Sequence, residues 1–264
     1  MHGFHARSFP TALGDPAGAQ TLQRVRGFAP HVTVVFDPAA LPAELLEAIP
    51  GLGLAVMLEQ DGEEREPVGL PPSIVRRVSF SPHLTGEKRL GGEVWRSIPP
   101  PVGDRFFRAV RPLHQAPRTC SIGRATEHRE WMLMPAKHEH DLLQAVHGVE
   151  GAELEGLLDS HDVGVHVAAR AGGPFGPQVG LHLAAGQLLL SESLEPSHGL
   201  EHDIDYLQFD SPDALVWTLE RLSRFPEMHQ RIRVRGRMKA EQYRASMLFA
   251  RLSRDLLADV SAFG

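Results

Sequence analysis

Short β-branched runs keep returning along this chain, each separated from the next by a helix-like stretch and by proline or glycine punctuation, and that alternation most constrains the fold. His31 to Phe36 reads HVTVVF, the pattern of a buried strand. Asp37-Pro38 then turns the chain, and Leu41 to Ile49 reads as a helix with Pro42 in its first turn, where proline is tolerated. Pro50-Gly51 stops that helix. Strands are expected over Leu52–Leu58, Ile74–Phe80 and Glu93–Ile98, with an opening helix over Gln20–Phe28. Residues 1–17 and 61–72 carry Gly, Pro and polar residues without periodicity and read as loop.

The second half repeats the scheme. Strands are expected at Arg118–Ile122, Leu142–His147, Val163–Ala168 and Gln187–Ser191. Helices are expected at Thr126–Met134, Ala152–Ser160, Val179–Ala185 and Asp213–Phe225, with a helical tail over Glu227–Val260. Strands that alternate with helices build parallel sheets from right-handed βαβ units. The class is therefore α/β, with two Rossmann-like lobes and an abbreviated N-terminal lobe. The extended Pro99-Pro100-Pro101 run opens a junction that reaches to about Pro117, and the lobes are drawn as 1–110 and 111–264. Ligands of such sheets sit beyond the carboxyl ends of the strands, which would place the site in the cleft between lobes.

Composition narrows the classes of partner. The net charge is −6, so no global field attracts nucleic acid or an anionic membrane. One cysteine, Cys120, forms no internal disulfide and no cysteine-rich metal site. The N-terminal stretch has no apolar core of signal-peptide length, and no segment approaches the roughly 20 apolar residues of a spanning helix. A cytoplasmic location is the expectation, and the bias toward Ala, Arg, Gly, Leu and Pro fits a GC-rich bacterial genome.

Four stretches carry candidate chemistry. Ser121 to Arg129, SIGRATEHR, leaves a strand and enters a helix. Gly123 permits a sharp turn, and Arg124 and Arg129 would clamp a diphosphate by charge-assisted hydrogen bonds; alternatively they pair with Glu127 or Glu130. The loop Gly172 to Gly176, with Gly173 and Phe175, precedes another helix and offers backbone N–H groups to an anion; a plain connecting loop has the same composition. After the Gln187–Ser191 strand, Glu192 and Glu195 would accept hydrogen bonds from sugar hydroxyls, and His198 before Gly199 would donate a proton; a solvated loop is the competing reading. Lys137 to Asp141, KHEHD, is the densest histidine cluster; His138 and His140 would ligate a metal if an extended, proline-bearing connection set them on one side, but the stretch lacks the H-E-x-x-H spacing of a zinc site, and no metal is expected. Cys120 reads as a buried, inert thiol, and the basic run Arg231, Arg233, Arg235, Arg237, Lys239 as a solvated helix rather than a nucleic-acid contact.

From Arg118 to Val260 these pieces, in this order, resemble the C-terminal half of a GT-B glycosyltransferase, of the family 1/family 4-like group that includes CgeB/YkvP-type domains. The resemblance rests on Gly123-Arg124 with Arg129, on Asp162 to Val167, on Phe175-Gly176, on Ala184-Ala185-Gly186 with the apolar strand after it, and on Gly199-Leu200-Glu201, Asp205-Tyr206-Leu207 and the closing helices. It implies that Arg124 and Arg129 hold the diphosphate of a nucleotide-sugar donor, that no cofactor or metal is required, and that the acceptor is a glycan, lipid or small molecule. Three departures stand out. The family's two glutamates around Phe-Gly fall at Gly173 and Leu181, the segment between Arg124 and Asp162 is short for a full set of strands, and the N-terminal lobe is abbreviated. Gln178 and His182, polar residues of the same helix, are the candidates to replace the lost contacts. The resemblance implies either a transferase or a degenerate, noncatalytic scaffold that binds nucleotides, phosphates or proteins. It says nothing of oligomeric state.

Overall fold

The computed structural model describes residues 18–36, 41–59, 74–80, 85–86, 88–89, 92–114, 116–146, 149–173 and 175–263. The loops expected at 1–17 and 61–72 and the turn at Asp37-Pro38 lie outside them.

The chain divides into two compact units, one of residues 1–99 with 252–264, the other of Pro100–Arg251. The division thus falls at Pro99–Pro100 rather than at 110/111, and the end of the last helix belongs with the first unit. In the first unit, α1 (Ala19–Phe28), β1 (Val32–Phe36), α2 (Ala43–Ala48), β2 (Leu54–Glu59), β3 (Ile74–Ser79), β4 (Lys88–Arg89) and β5 (Gly92–Ser97) follow in order. The sheet order is β1-β2-β3-β5-β4, parallel except for β4, which runs antiparallel to β5. Val35 and Ile49 form a small core with Leu41 and Leu46. The returning helix carries Asp259, 2.7 Å from Arg76 of β3, and Asp255, paired with Arg96 of β5. These ion pairs join the helix end to the strands of this unit.

The second unit contains β6 (Thr119–Ile122), α3 (Glu127–Glu139), β7 (Leu143–Ala145), α4 (Gly151–Ser160), β8 (Val163–His166), α5 (Pro177–Ala184), β9 (Leu188–Ser191), β10 (Leu207–Gln208), α6 (Pro212–Arg224), α7 (Gln230–Lys239) and α8 (Ala245–Phe263). Its five strands are all parallel, in the order β10-β9-β8-β6-β7. The order reverses between β6 and β8, and such a switch point opens a crevice at the carboxyl ends of the two strands.

Both sheet faces are covered, and the strand sequences show it. Leu188 and Leu190 of β9, with Val163 and Val165 of β8, pack toward Met132 and Leu133 of α3 and Leu215 and Leu219 of α6. Leu189 points the other way, to Val179 and Leu183 of α5 and Leu158 of α4. A strand buried on both faces reads as an uninterrupted apolar run, as LLL does here.

Several elements depart from expectation. The segment between Arg124 and Asp162 is long enough for α3, β7 and α4 because β7 is only three residues long. The helix α3 runs through Pro135 to Glu139, since Met132, Leu133 and Ala136 are buried on both sides of the proline. His138 is therefore helical, not part of an extended connection. Among the described residues no group of three or more His, Cys, Asp or Glu side chains is placed to hold a metal ion. Of the basic run of α7, Arg231 and Arg235 are exposed but the other three residues are not. Arg233 is buried and donates to the Gly186 carbonyl at 2.6 Å, Arg237 donates to the Arg108 carbonyl at 2.6 Å, and Lys239 donates to the Gly199 carbonyl at 2.8 Å. These side chains tie α7 to the connections beneath it. No helix among the described residues is long and apolar enough to cross a membrane.

Candidate functional site

At the carboxyl end of β6 the chain turns through Gly123, whose φ of 147° lies in a region side chains rarely adopt. A Cβ there would also sit 2.7 Å from Nη1 of Arg129. Glycine is thus required twice, by the backbone and by the guanidinium packed under it. The helix α3 then starts at Glu127, capped by Thr126, whose side chain accepts from the Arg129 N–H at 3.3 Å.

The two arginines of this turn have different surroundings. Arg129 is buried; its Nε donates to the Val167 carbonyl at 2.8 Å and its Nη1 to the Arg124 carbonyl at 2.9 Å. Burial lowers its pKa and the Glu192 carboxylate opposes that shift. It is a tie between the end of β6 and the end of β8. Arg124 is exposed and lines a cavity of about 300 Å³ together with Ile122, Gly123, Ala145, Val146, Val149 and Gln178. The cavity therefore opens at the carboxyl ends of β6 and β7, beside the first turn of α5. One formal charge, one amide and an apolar wall make up its lining.

The other expected site residues divide the same way. Gly176 caps α5; a Cβ on it would run into Gln178 Oε1 and lie 3.0 Å from His166 Nε2. Gln178 lines the cavity. Gly173 is buried in a tight turn, its N–H already donated to the Arg170 carbonyl at 3.0 Å, and a Cβ would lie 2.8 Å from that of Ala168. Its amide is not offered to a ligand. Phe175 is buried in the core, edge-on to His198 at 4.9 Å and to Tyr243 at 5.8 Å between ring centroids. His198 takes a left-handed backbone, φ 45°, and its carbonyl accepts from Tyr243 Oη at 3.1 Å. It does not line the cavity. Glu195 is exposed and does not line it either.

His182 is a correction. It is fully buried against the sheet, where Gly164 of β8 leaves room for the ring; a Cβ at Gly164 would overlap it. Its Nδ1 lies 2.6 Å from Gln187 Oε1, and Gln187 donates to the Leu158 carbonyl at 2.9 Å. Burial pushes its pKa down to about 4. It is a neutral core histidine rather than a donor contact. Leu181 packs on the same core. Glu192 is also engaged by the protein: Oε1 lies 2.8 Å from His128 Nε2, and Oε2 accepts from the Ala168 N–H at 2.9 Å. It fastens the loop after β8 to α3 and β9. Cys120 is buried, and burial raises its thiol to about 12.

The residue not picked out as a site candidate is His166, the last of β8. It is buried, with Nδ1 3.0 Å from Ser191 Oγ at the end of β9. Burial, aided by His182 and Arg129, lowers its pKa to about 3. The signal was present: a histidine at the end of the strand that flanks the switch point, with Gly176 ten residues on.

No family model matches the chain, and no curated protein matches it in sequence. Solved structures do. A glycosyltransferase from Rickettsia africae superposes with a TM-score of 0.59 at 10% identity, over 98% of this chain and 85% of the other. HepE from Anabaena, solved with UDP and glucose, gives 0.55 at 8%, over 92% and 84%. A sucrose-phosphate synthase from Thermosynechococcus elongatus gives 0.54 at 11%, over 91% and 79%. At these identities the likeness is one of fold, and the chain is built on the GT-B glycosyltransferase fold.

Proposed function

We propose that the chain binds a nucleoside diphosphate sugar in the cavity at the end of β6 and transfers the sugar to an acceptor. The carrying observation is the convergence of Gly123, Arg124 and Gln178 on that one cavity beside the switch point. Its volume is at the lower end of ordinary small-ligand sites. An apolar wall of Ile122, Ala145, Val146 and Val149 suits a nucleobase, and Arg124 suits the phosphates. As the sugar departs, negative charge grows on the leaving diphosphate, and a guanidinium placed there stabilises the transition state more than the ground state. No cofactor enters this scheme. HepE, of the same fold, was solved with UDP and glucose, which makes uridine nucleotides the first donors to try.

A binding-only role is the second reading. Among the described residues lining the cavity there is no carboxylate, and Glu192 is held by His128 and Ala168. Incubation with a panel of radiolabelled nucleotide sugars separates the two. Release of free nucleoside diphosphate, lost in Arg124→Ala, supports transfer. Binding of the nucleotide with no turnover on glycan, lipid or small-molecule acceptors leaves the binding role.

A further inference from the structure

The outer helix layer of the second unit holds two tryptophans in water. The helices α3 and α6 cover the same face of the sheet, with Met132 and Leu133 of one and Leu215 and Leu219 of the other turned inward. Each follows a strand of one parallel sheet and runs back against it, so the two are parallel neighbours, about 8–10 Å apart between axes. Trp131 is the fifth residue of α3 and Trp217 the sixth of α6, which sets both rings at one level. Trp131 is 60% exposed and Trp217 57%. Met134, Phe225 and Met228 extend the patch, and Arg221 joins its parts: the guanidinium lies 4.5 Å over the Trp217 ring, with Nη2 2.9 Å from Met228 Sδ. Three aromatic rings and two methionines, each about half exposed, leave on the order of 500 Å² of side chain in water. With its charged rim the patch approaches the roughly 800 Å² per partner of a stable interface, and aromatic, Met and Arg side chains are the ones enriched there.

The exposed stripes are symmetric end for end. On α3 the stripe is Glu127, Trp131, Met134 and His138, centred between Met132 and Leu133, with an acid at one end and a histidine at the other. On α6, Asp213 and Arg221 stand four residues to either side of Trp217. The two centres fall at the same level of the layer. Among the described residues Glu127, His138 and Asp213 have no ion-pair partner.

We propose that this face is an interface with a second copy of the chain, related by a two-fold axis that crosses α3 and α6 at the level of Trp217. The axis lies in the interface plane, so each helix packs antiparallel on its own copy. Trp217 meets Trp217 of the copy, Trp131 meets Met134, Arg221 meets Asp213 and Glu127 meets His138. A two-fold interface needs a patch complementary to itself, and reversal of these stripes places acid on base and apolar on apolar. The Asp213 carboxylate offsets the charge that Arg221 would otherwise carry unpaired into a dry contact. Antiparallel packing also sets the positive end of each helix beside the negative end of its copy. The inference is independent of the nucleotide reading of the cavity.

The test is sedimentation equilibrium of the full chain over a dilution series. Wild type is compared with Trp131→Glu, Trp217→Glu, Asp213→Arg and the double variant Asp213→Arg/Arg221→Asp. Both rings are exposed, so the tryptophan replacements leave the core intact. The expected result is a dimer in wild type, weakened about thirtyfold or more by Trp217→Glu and weakened also by Trp131→Glu. Asp213→Arg weakens it by setting two arginines face to face, and the double variant restores it because the exchanged charges pair again across the axis. A monomer at every concentration overturns the inference, and so does a dimer that neither tryptophan variant weakens. A dimer weakened by the tryptophan variants but not restored in the double variant overturns the antiparallel arrangement. Should the variants not fold, the emission of the wild-type tryptophans decides. It must move to longer wavelength as the dimer dissociates, since two of the three tryptophans return to water; unchanged emission through that dissociation places the contact elsewhere and overturns the inference.

Discussion

Arg129→Ala removes a buried cation that holds two strand ends together. The guanidinium donates to the Val167 carbonyl at 2.8 Å and to the Arg124 carbonyl at 2.9 Å. Hydrogen bonds from a charged donor contribute about 1.5–3 kcal/mol each, and the two carbonyls would lose their partners. Removal also relieves the cost of burying the charge, which is why the arginine's pKa is lowered. The balance for breaking a buried charged group's contacts is a loss of about 3 kcal/mol. For a chain of this size that lowers Tm by roughly 6–12 °C. Arg124, exposed on the cavity lining, should change stability by less than about 0.5 kcal/mol when replaced by alanine. Scanning calorimetry of the two variants without ligand reads the difference directly. A Tm for Arg129→Ala within 2 °C (about) of wild type would refute the assignment of this arginine as a structural tie.

Three further outcomes follow from the same geometry. Gly123→Ala combines a disfavoured φ with a Cβ 2.7 Å from Arg129 Nη1, and should cost about 1–3 kcal/mol in urea denaturation. His166 and His182 have pKa values lowered to about 3 and about 4. The unfolded chain therefore takes up more protons than the folded one below about pH 6.5. Stability is full above that pH and falls on acidification, by up to about 1.4 kcal/mol per pH unit for each histidine; denaturant midpoints measured from pH 7 to pH 5 should drop, and a flat profile would contradict the burial of these rings. Cys120, buried with its thiol raised to about 12, should react with a thiol reagent only after denaturation; rapid labelling of the native protein would show the strand β6 to be open.

The alternation of strands and helices was legible because each element buries a face, and burial writes periodicity into the sequence. The LLL run of β9 and the VGV run of β8 both announce strands covered on two sides. Short or edge elements leave little trace: β10 and β4 have two residues each, too few for any period. The helix expected over Thr126–Met134 continues through Pro135 to Glu139, because Met132 and Ala136 are buried on either side of the proline. Gly123, Arg124 and Gln178 were singled out from the sequence by residue type and position, and the structure lines one cavity with them. Arg124 and Arg129 were indistinguishable, because sequence shows the charge and not the two carbonyls that claim Arg129. His182 misled for a related reason: its polarity suggested a ligand, while its partner Gln187 and the space left by Gly164 come from other elements.

The central claim is that the cavity at the end of β6 holds a nucleoside diphosphate through Arg124. Isothermal calorimetry of UDP with wild type and Arg124→Ala tests it most directly. The account predicts saturable one-to-one binding by wild type and a loss of about tenfold or more in Arg124→Ala, with the variant's Tm unchanged. Equal affinity in both proteins, or no binding of any nucleoside diphosphate by the wild type, would contradict it.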